Sequence, residues 1–456
     1  MTSKLGNINV SSEYYELDGE FANRERVLEE FERKKKARQI TVAVDDVEVR
    51  AHLRAINEPI CLFGEGPADR RERLRQLLAK LGQDAHKRKK EEDKAEDKDK
   101  DVRPESLRKA RYWIADYSIP RAKERLENAR QLKHVPESTK SAVNQQLYKK
   151  LRQLQINCSQ VSDTRPVSAA VFSPNGSIIA TSSWSGLCKL WSVPDLKHIR
   201  YLRGHNGNAR SITFHPQSTI SQSPSTINLA SCGNDGSVLL WSLESEEPIV
   251  SLEGHENHRV NRLAFHPSGR FLATCCADKS WRLFDLETNE EILYQEGHSR
   301  EVFDVSFQCD GSLAATSGLD AFGRVWDLRT GRCIMFMEGH LKGVLSIDFS
   351  PNGYQLVTGS QDHSVKIWNL RERKCEYTIP AHTNVVSKVL FEKNNGNYIL
   401  SASFDNTFKL WAHPAWTPIQ THTGHDNKIM YIDMTYDNHN FVTASYDRTF
   451  KLWTPE

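Results

Sequence analysis

The stretch ASFDNTFKLW occupies Ala402–Trp411, and ASYDRTFKLW occupies Ala444–Trp453, 42 residues further on. A run repeated at a fixed distance marks stacked copies of one structural unit. The pattern extends backward through the chain. An aromatic ring recurs at Trp191, Trp241, Phe284, Trp326, Trp368, Trp411 and Trp453, with spacings of 50, 43, 42, 42, 43 and 42 residues. Six residues before each ring stands Ser185, Asp235, Asp278, Asp320, Asp362, Asp405 or Asp447. Ten residues before each is a hydroxyl, from Thr181, Ser231, Thr274, Thr316, Thr358, Ser401 or Thr443. Upstream come Gly204-His205, Gly254-His255, Gly297-His298, Gly339-His340, Ala381-His382 and Gly424-His425.

Within each unit short runs such as SVKIW and TFKLW alternate apolar and polar residues, and turns such as Pro351-Asn352-Gly353 break them. Four strands of roughly 5–6 residues plus turns fill one period. A period near 42 with Gly-His, then Asp, then Trp resembles the WD-repeat β-propeller family. The expected fold is an all-β seven-bladed propeller over residues 154–456, preceded by a charged, mostly helical region.

In that family His, Ser/Thr, Asp and Trp form a hydrogen-bonded relay. The resemblance implies such relays at His205–Ser231–Asp235–Trp241, His298–Thr316–Asp320–Trp326, His340–Thr358–Asp362–Trp368, His382–Ser401–Asp405–Trp411 and His425–Thr443–Asp447–Trp453. A buried member left unpaired costs roughly 1–3 kcal/mol, so the set tends to appear together. Two repeats depart from it. The first has Asp163 for the His and Ser185 for the Asp, which puts that blade's rigidity in question, and the third ends in Phe284, without an indole N–H.

Only three residues follow Trp453, too few for a fourth strand in the seventh unit. Propellers protect their edges, so LQINCSQV (Leu154–Val161) is expected to supply that strand and close the ring. Pro216–Asn228, rich in Ser, Pro and Gln, reads as a solvent loop in the second repeat.

Residues 1–150 carry 34 Lys/Arg and 28 Asp/Glu, whereas the other 306 residues carry 27 and 31. The near-neutral total of +2 therefore hides a basic front third. Nine cysteines without a C-x-x-C pair give neither a disulfide framework nor a zinc site. Cys188, Cys232, Cys275 and Cys276 fall in strand-like runs and are expected to be buried reduced thiols. With no signal-peptide pattern and no membrane-spanning apolar run, the chain is expected to be intracellular and soluble. No P-loop, G-x-S-x-G, H-E-x-x-H or dinucleotide fingerprint occurs, so neither enzyme, cofactor nor metal chemistry is expected.

The front third divides into a charged arm (1–44), a two-helix segment (45–82), a mixed-charge linker (83–103) and a basic helical stretch (104–153). In the second of these, Asp45 and Glu48 form a capping-box pattern, and Val49, Leu53 and Ile56 share one face. Pro67 suits a first helical position, and Leu74, Leu77, Leu78 and Leu81 form a second stripe. In the basic stretch, Tyr112, Trp113 and Tyr117 interleave with Lys and Arg, a mixture compatible with RNA contact or with packing on another protein. The opening KRKK of the linker (Lys87–Lys90) also suits a nuclear-localisation patch.

EPICLFGEGPADRRERLR (Glu58–Arg75), the charged linker, the basic helices and the seven repeats together are similar to the pre-mRNA-processing factor four family of spliceosomal WD-repeat proteins. Matching stretches inside the repeats are SWSGLCKLWSVPD (Ser183–Asp195), HPSGRFL (His266–Leu272) and Leu319–Val344. The resemblance implies a nuclear, non-enzymatic scaffold of the U4/U6 particle and of the tri-snRNP. Implied partners are a companion scaffold protein, a nuclear cyclophilin, and U4/U6 RNA directly or through proteins. Leu62, Phe63 and Gly64 are the expected cyclophilin anchors. A general WD adaptor, such as a ubiquitin-ligase substrate receptor or chromatin reader, needs only the propeller and is the alternative. The propeller itself is expected to be monomeric and free of membrane contact.

The residue before each turn Asp falls on the face that carries the Gly-His loops. Around the ring it is Trp184, Asn234, Ala277, Leu319, Gln361, Phe404 and Tyr446. Its three aromatics fall on blades one, six and seven, neighbours in a closed ring. With Lys428 they form the expected partner-binding surface, because contiguous exposed aromatics are enriched at interfaces.

Overall fold

The structure, a computed structural model, describes residues 42, 45–55, 66–81, 105–255 and 258–455, and in it each repeat forms a four-stranded antiparallel meander. Blade four shows the pattern, with Val302–Phe307, Leu313–Gly318, Gly323–Asp327 and Arg332–Met337 pairing in order. Its inner strands are largely buried, whereas Arg332–Met337 is exposed at Arg332, Cys333 and Ile334 and alternates between buried and exposed only from Met335 on. Inner strands are covered on both faces by neighbouring blades, so even their polar residues, such as Asp304, Thr316 and Ser317, are buried. The outermost strand covers only one neighbour, which leaves the period of two visible.

Blade seven takes its fourth strand from Leu154–Val161, which pairs antiparallel with Thr449–Pro455, Ile156 opposite Trp453 and Val161 opposite Thr449. Each of the seven sheets thereby has four strands, and the two ends of the propeller segment share the last one.

A bulge recurs in all seven innermost strands, at Ser168, Arg210, Asn261, Phe303, Leu345, Ser387 and Met430. A bulge re-aims its extra residue, and four of these side chains donate to the next blade, Arg210 Nη1 to the Asn261 side chain (3.3 Å) and three others to backbone carbonyls. Ser168 Oγ reaches the Ala209 carbonyl (2.8 Å), Asn261 Nδ2 the Val302 carbonyl (2.8 Å) and Ser387 Oγ the Ile429 carbonyl (2.7 Å). At the other end, His215 Nε2 bonds the Gly269 carbonyl (3.0 Å) and His266 Nε2 that of Gly311 (2.8 Å). These polar links fix each blade's angle to its neighbour.

The chain separates into two units, Met1–Arg103 and Pro104–Glu456. In the second, helices α3 (Glu105–His134) and α4 (Glu137–Arg152) precede the propeller. The basic stretch is therefore two helices, and they pack on the propeller of their own chain, a third possibility beside RNA and another protein. Leu107, Ala110 and Ile114 of α3 join the core of Phe271, Trp281 and Leu283 in blade three. Trp113 stacks on Tyr117 (5.4 Å) and meets Phe271 edge-on (5.5 Å). Further along, Arg125 grips Asp310 with two nitrogens (2.8 and 2.7 Å) and donates to the Asn352 carbonyl (2.7 Å). In α4 the Tyr148 hydroxyl lies within hydrogen-bond distance of the Asn397 (2.9 Å) and His413 (3.0 Å) carbonyls, and Leu151 enters the core of blades six and seven. Asp310, Asn352, Asn397 and His413 lie in turns opposite the Gly-His loops. The helices therefore occupy one face and leave the Gly-His face open.

In the first unit, helices α1 (Asp46–Ala55) and α2 (Pro67–Leu81) pack Val49 and Leu53 against Leu74 and Leu78. Arg70 pairs with Asp46 across them (2.5 Å). Ile56, Leu62, Phe63, Gly64, the charged arm (apart from Val42) and the linker lie outside the described residues.

Candidate functional site

In blades four to seven the recurrent side chains form a directional chain of hydrogen bonds. In blade five, Trp368 Nε1 donates to Thr358 Oγ1 (2.8 Å), the Thr358 hydroxyl meets His340 Nε2 (2.7 Å), and His340 Nδ1 meets Asp362 (2.9 Å). The equivalent His–Asp contacts are 3.0 Å at His298–Asp320, 2.8 Å at His382–Asp405 and 2.8 Å at His425–Asp447. Burial alone would raise the carboxyls of Asp362, Asp405 and Asp447. The bonds from their histidines and turn hydroxyls more than offset it and hold all three well below the usual carboxylate range. These histidines are spent on structure.

Blade two inserts a serine. His205 Nδ1 meets Ser237 Oγ (2.7 Å), which donates to Asp235 (2.6 Å), while His205 and Asp235 stand 3.9 Å apart. Blade one keeps a relay despite its departures. Ser162 bonds Thr181 (3.1 Å) where the histidine nitrogen would, and the Ser185 hydroxyl donates to Asp163, donor and acceptor exchanged. Blade three is the weak one. Arg282 takes Asp278 (2.8 Å), leaving His255 a single 3.2 Å contact to Thr274. Burial, with the Arg282 charge, pushes His255 down to about 4.

The bore of the ring is closed by charge. Asp304 of blade four bonds Arg262 of blade three (2.8 Å) and Lys388 of blade six (2.7 Å), all three buried. Arg262 also donates to the Ser387 carbonyl (3.0 Å), and both cations lie over the Tyr431 ring (5.2 and 5.4 Å). Asp348 beside them is raised to about 6 by burial. Every charge here has a protein partner, so the network holds the innermost strands together.

On the open face the sequence-derived positions meet. Trp184 and Tyr446 make an edge-to-face pair (5.5 Å), and Lys428 Nζ lies over the Phe404 ring (5.3 Å). The Tyr446 amide donates to the Lys428 carbonyl (2.9 Å), which joins the two pairs into one strip across blades six, seven and one. Tyr446 is 40% exposed, and Trp184 and Phe404 are half-buried. Sequence reasoning passed over Arg165 and Arg448, which border the same strip. In sequence each sits in a loop that also carries an acid, Asp163 or Asp447, which hid them.

Cys188 and Cys232 are buried with thiols pushed up to about 12, and Cys275 and Cys276 are buried too, whereas Cys309 and Cys333 are exposed. Among the described residues no group of His, Cys, Asp or Glu is arranged to hold a metal ion. No described helix is long and apolar enough to cross a membrane.

Seven meanders, four of them with a complete Trp–hydroxyl–His–Asp chain, define a repeat propeller, and the chain belongs to the WD domain, G-beta repeat family. That family matches at residues 156–192, 196–242, 246–285, 290–327, 331–369, 373–412 and 416–454. Ahead of the propeller, residues 49–77 match a second family, pre-mRNA processing factor 4 (PRP4) like, over the α1–α2 pair. Among curated proteins, the chain is 56% identical over 239 residues to the U4/U6 small nuclear ribonucleoprotein Prp4 of Bos taurus, covering 50% of this chain and 46% of that one. It is 39% identical over 235 residues to the PRP4-like protein of Arabidopsis thaliana (48% and 41% covered) and 31% over 246 residues to PRP4 of Saccharomyces cerevisiae (50% and 50%). The matched region thus spans about half the length of these relatives.

Proposed function

We propose that this chain is a non-enzymatic scaffold of the U4/U6 and U4/U6.U5 small nuclear ribonucleoproteins that supports pre-mRNA splicing in the nucleus. One observation carries the reading: a PRP4-like segment at 49–77 and seven WD repeats occur in one chain, which is 56% identical over half its length to a protein named for that particle. The α1–α2 segment, with Leu62, Phe63 and Gly64 between its helices, is the site for a nuclear cyclophilin. The open propeller face serves the particle's other components, a companion scaffold protein among them. The propeller acts as a monomer. The test is co-purification of the tagged full chain from nuclear extract. Recovery of U4 and U6 RNA is expected, and recovery of a cullin complex or histones in their place overturns the reading.

A further inference from the structure

The strip on the open face differs in charge from the rest of the ring. In blades three, four and five the residue before the Gly-His pair is Glu253, Glu296 or Glu338, each exposed. At the same position blades six and seven carry Pro380 and Thr423, and blade one carries Val161. Arg165, Lys428 and Arg448 are exposed there, and among the described residues no carboxylate lies in ion-pair range of any of them. Asp426 is the exposed acid nearby. The relay carboxylates Asp405 and Asp447 are already held by histidines, and Asp163 by Ser185 and Lys189 (3.8 Å).

Three cations without a carboxylate partner thus accompany three partly exposed rings across three adjacent blades. From these juxtaposed side chains we propose that Arg165, Lys428 and Arg448 with Trp184, Phe404 and Tyr446 form a binding site for single-stranded RNA. The cations meet successive phosphates and the rings stack on unpaired bases, a combination that suits a flexible single strand. A protein partner would favour a continuous apolar centre with its charges at the rim. Here one of the cations, Lys428, lies over a ring of the strip itself. The choice of RNA over single-stranded DNA rests on the ribonucleoprotein reading above; the chemistry of the strip does not.

The full-length chain is titrated with a fluorescent 12-nucleotide uridine RNA and with the rA12·rU12 duplex at several salt concentrations. Wild type is expected to prefer the single strand at least tenfold. R165A/K428A/R448A should lower the slope of log affinity against log salt by about 2, since each neutralised phosphate on a single strand contributes roughly 0.7. W184A/Y446A should weaken binding about tenfold or more with the slope unchanged. Ultraviolet crosslinking of wild type then maps the contact without any substitution, and adducts at Trp184, Phe404 or Tyr446 are expected. Adducts confined to residues 1–152, or variants that bind as wild type does, overturn the site. Variants that bind the RNA normally but release a protein from the purified particle make the strip a protein interface and equally overturn it. Co-purified U4 and U6 RNA alongside a purified chain indifferent to the oligonucleotide would sink this inference alone, leaving the scaffold reading intact.

Discussion

Thr358 is small, yet its hydroxyl is the only group joining an indole in the third strand to an imidazole in the loop before the first. Both partners are buried, so removing the hydroxyl strands two polar nitrogens. Thr358→Val should cost about 2–3 kcal/mol, the sum of two such penalties partly relieved by packing of the methyl. Thr274→Val in blade three should cost only about 1 kcal/mol, because Phe284 offers no N–H and the His255 contact is already 3.2 Å long. Urea unfolding of the two variants checks the contrast, and equal losses would remove the indole's share. The relay positions could be read from spacing because each blade repeats them at fixed offsets. The substitutes could not. Ser162 stands where a glycine does in most other repeats, and Arg282 captures Asp278 only because it reaches back four residues to the turn before its own strand.

At the level of strands and helices, alternation and turn residues mark nearly all of the sheet, and even the strand borrowed from Leu154–Val161 is visible as an unclaimed alternating run. Its pairing with Thr449–Pro455 makes it an edge whose loss bares another. A chain beginning at Asp163 lacks that strand and both docked helices, whereas one beginning at Glu105 keeps them. The shorter chain should aggregate or melt well below the longer by circular dichroism, and matching melting curves would show that the ring holds without its closing strand. The docking of α3 was not legible. Its buried positions are Leu107, Ala110, Ile114 and Ser118, a narrow stripe with two small residues, and its strongest grip, Arg125 on Asp310, reads in sequence as one more surface cation. A basic helix with aromatics looks much the same whether it is destined for RNA, a partner or its own propeller. The exposed Pro216–Asn228 loop behaves as its composition suggests, apart from an anchor in which Ser218 Oγ donates to Asn228 Oδ1 (2.8 Å).

Across the whole molecule, the ring brings together residues that no periodicity relates. Arg262, Asp304, Asp348 and Lys388 come from four blades and form their network only in the closed bore. The same closure buries ionisable groups and so fixes how stability follows pH. His255, His266 and His422 are pushed from 6.5 down to about 4, in each case first by burial. A histidine whose folded pKa is depressed contributes stability that is complete above its unfolded value and is lost as pH falls through the folded one. Asp348, raised from 3.8 to about 6, acts the other way, since the stability from its protonated form is lost as pH rises through 6. Three histidines against one aspartate leave a net loss on acidification between pH 6.5 and 4. His422 allows the cleanest separation. Its ring stacks on Phe408 (4.8 Å, 19°) and meets Trp453 at 5.8 Å, and its Nε2 has no partner among the described residues. His422→Phe keeps the stacked ring and removes the titrating nitrogen. The variant should therefore lose about 2 kcal/mol less than wild type between pH 7 and 4, after discounting for partial solvent access. Urea midpoints measured across that range check it, and parallel pH profiles for the two proteins would show that His422 titrates as it does in the unfolded chain.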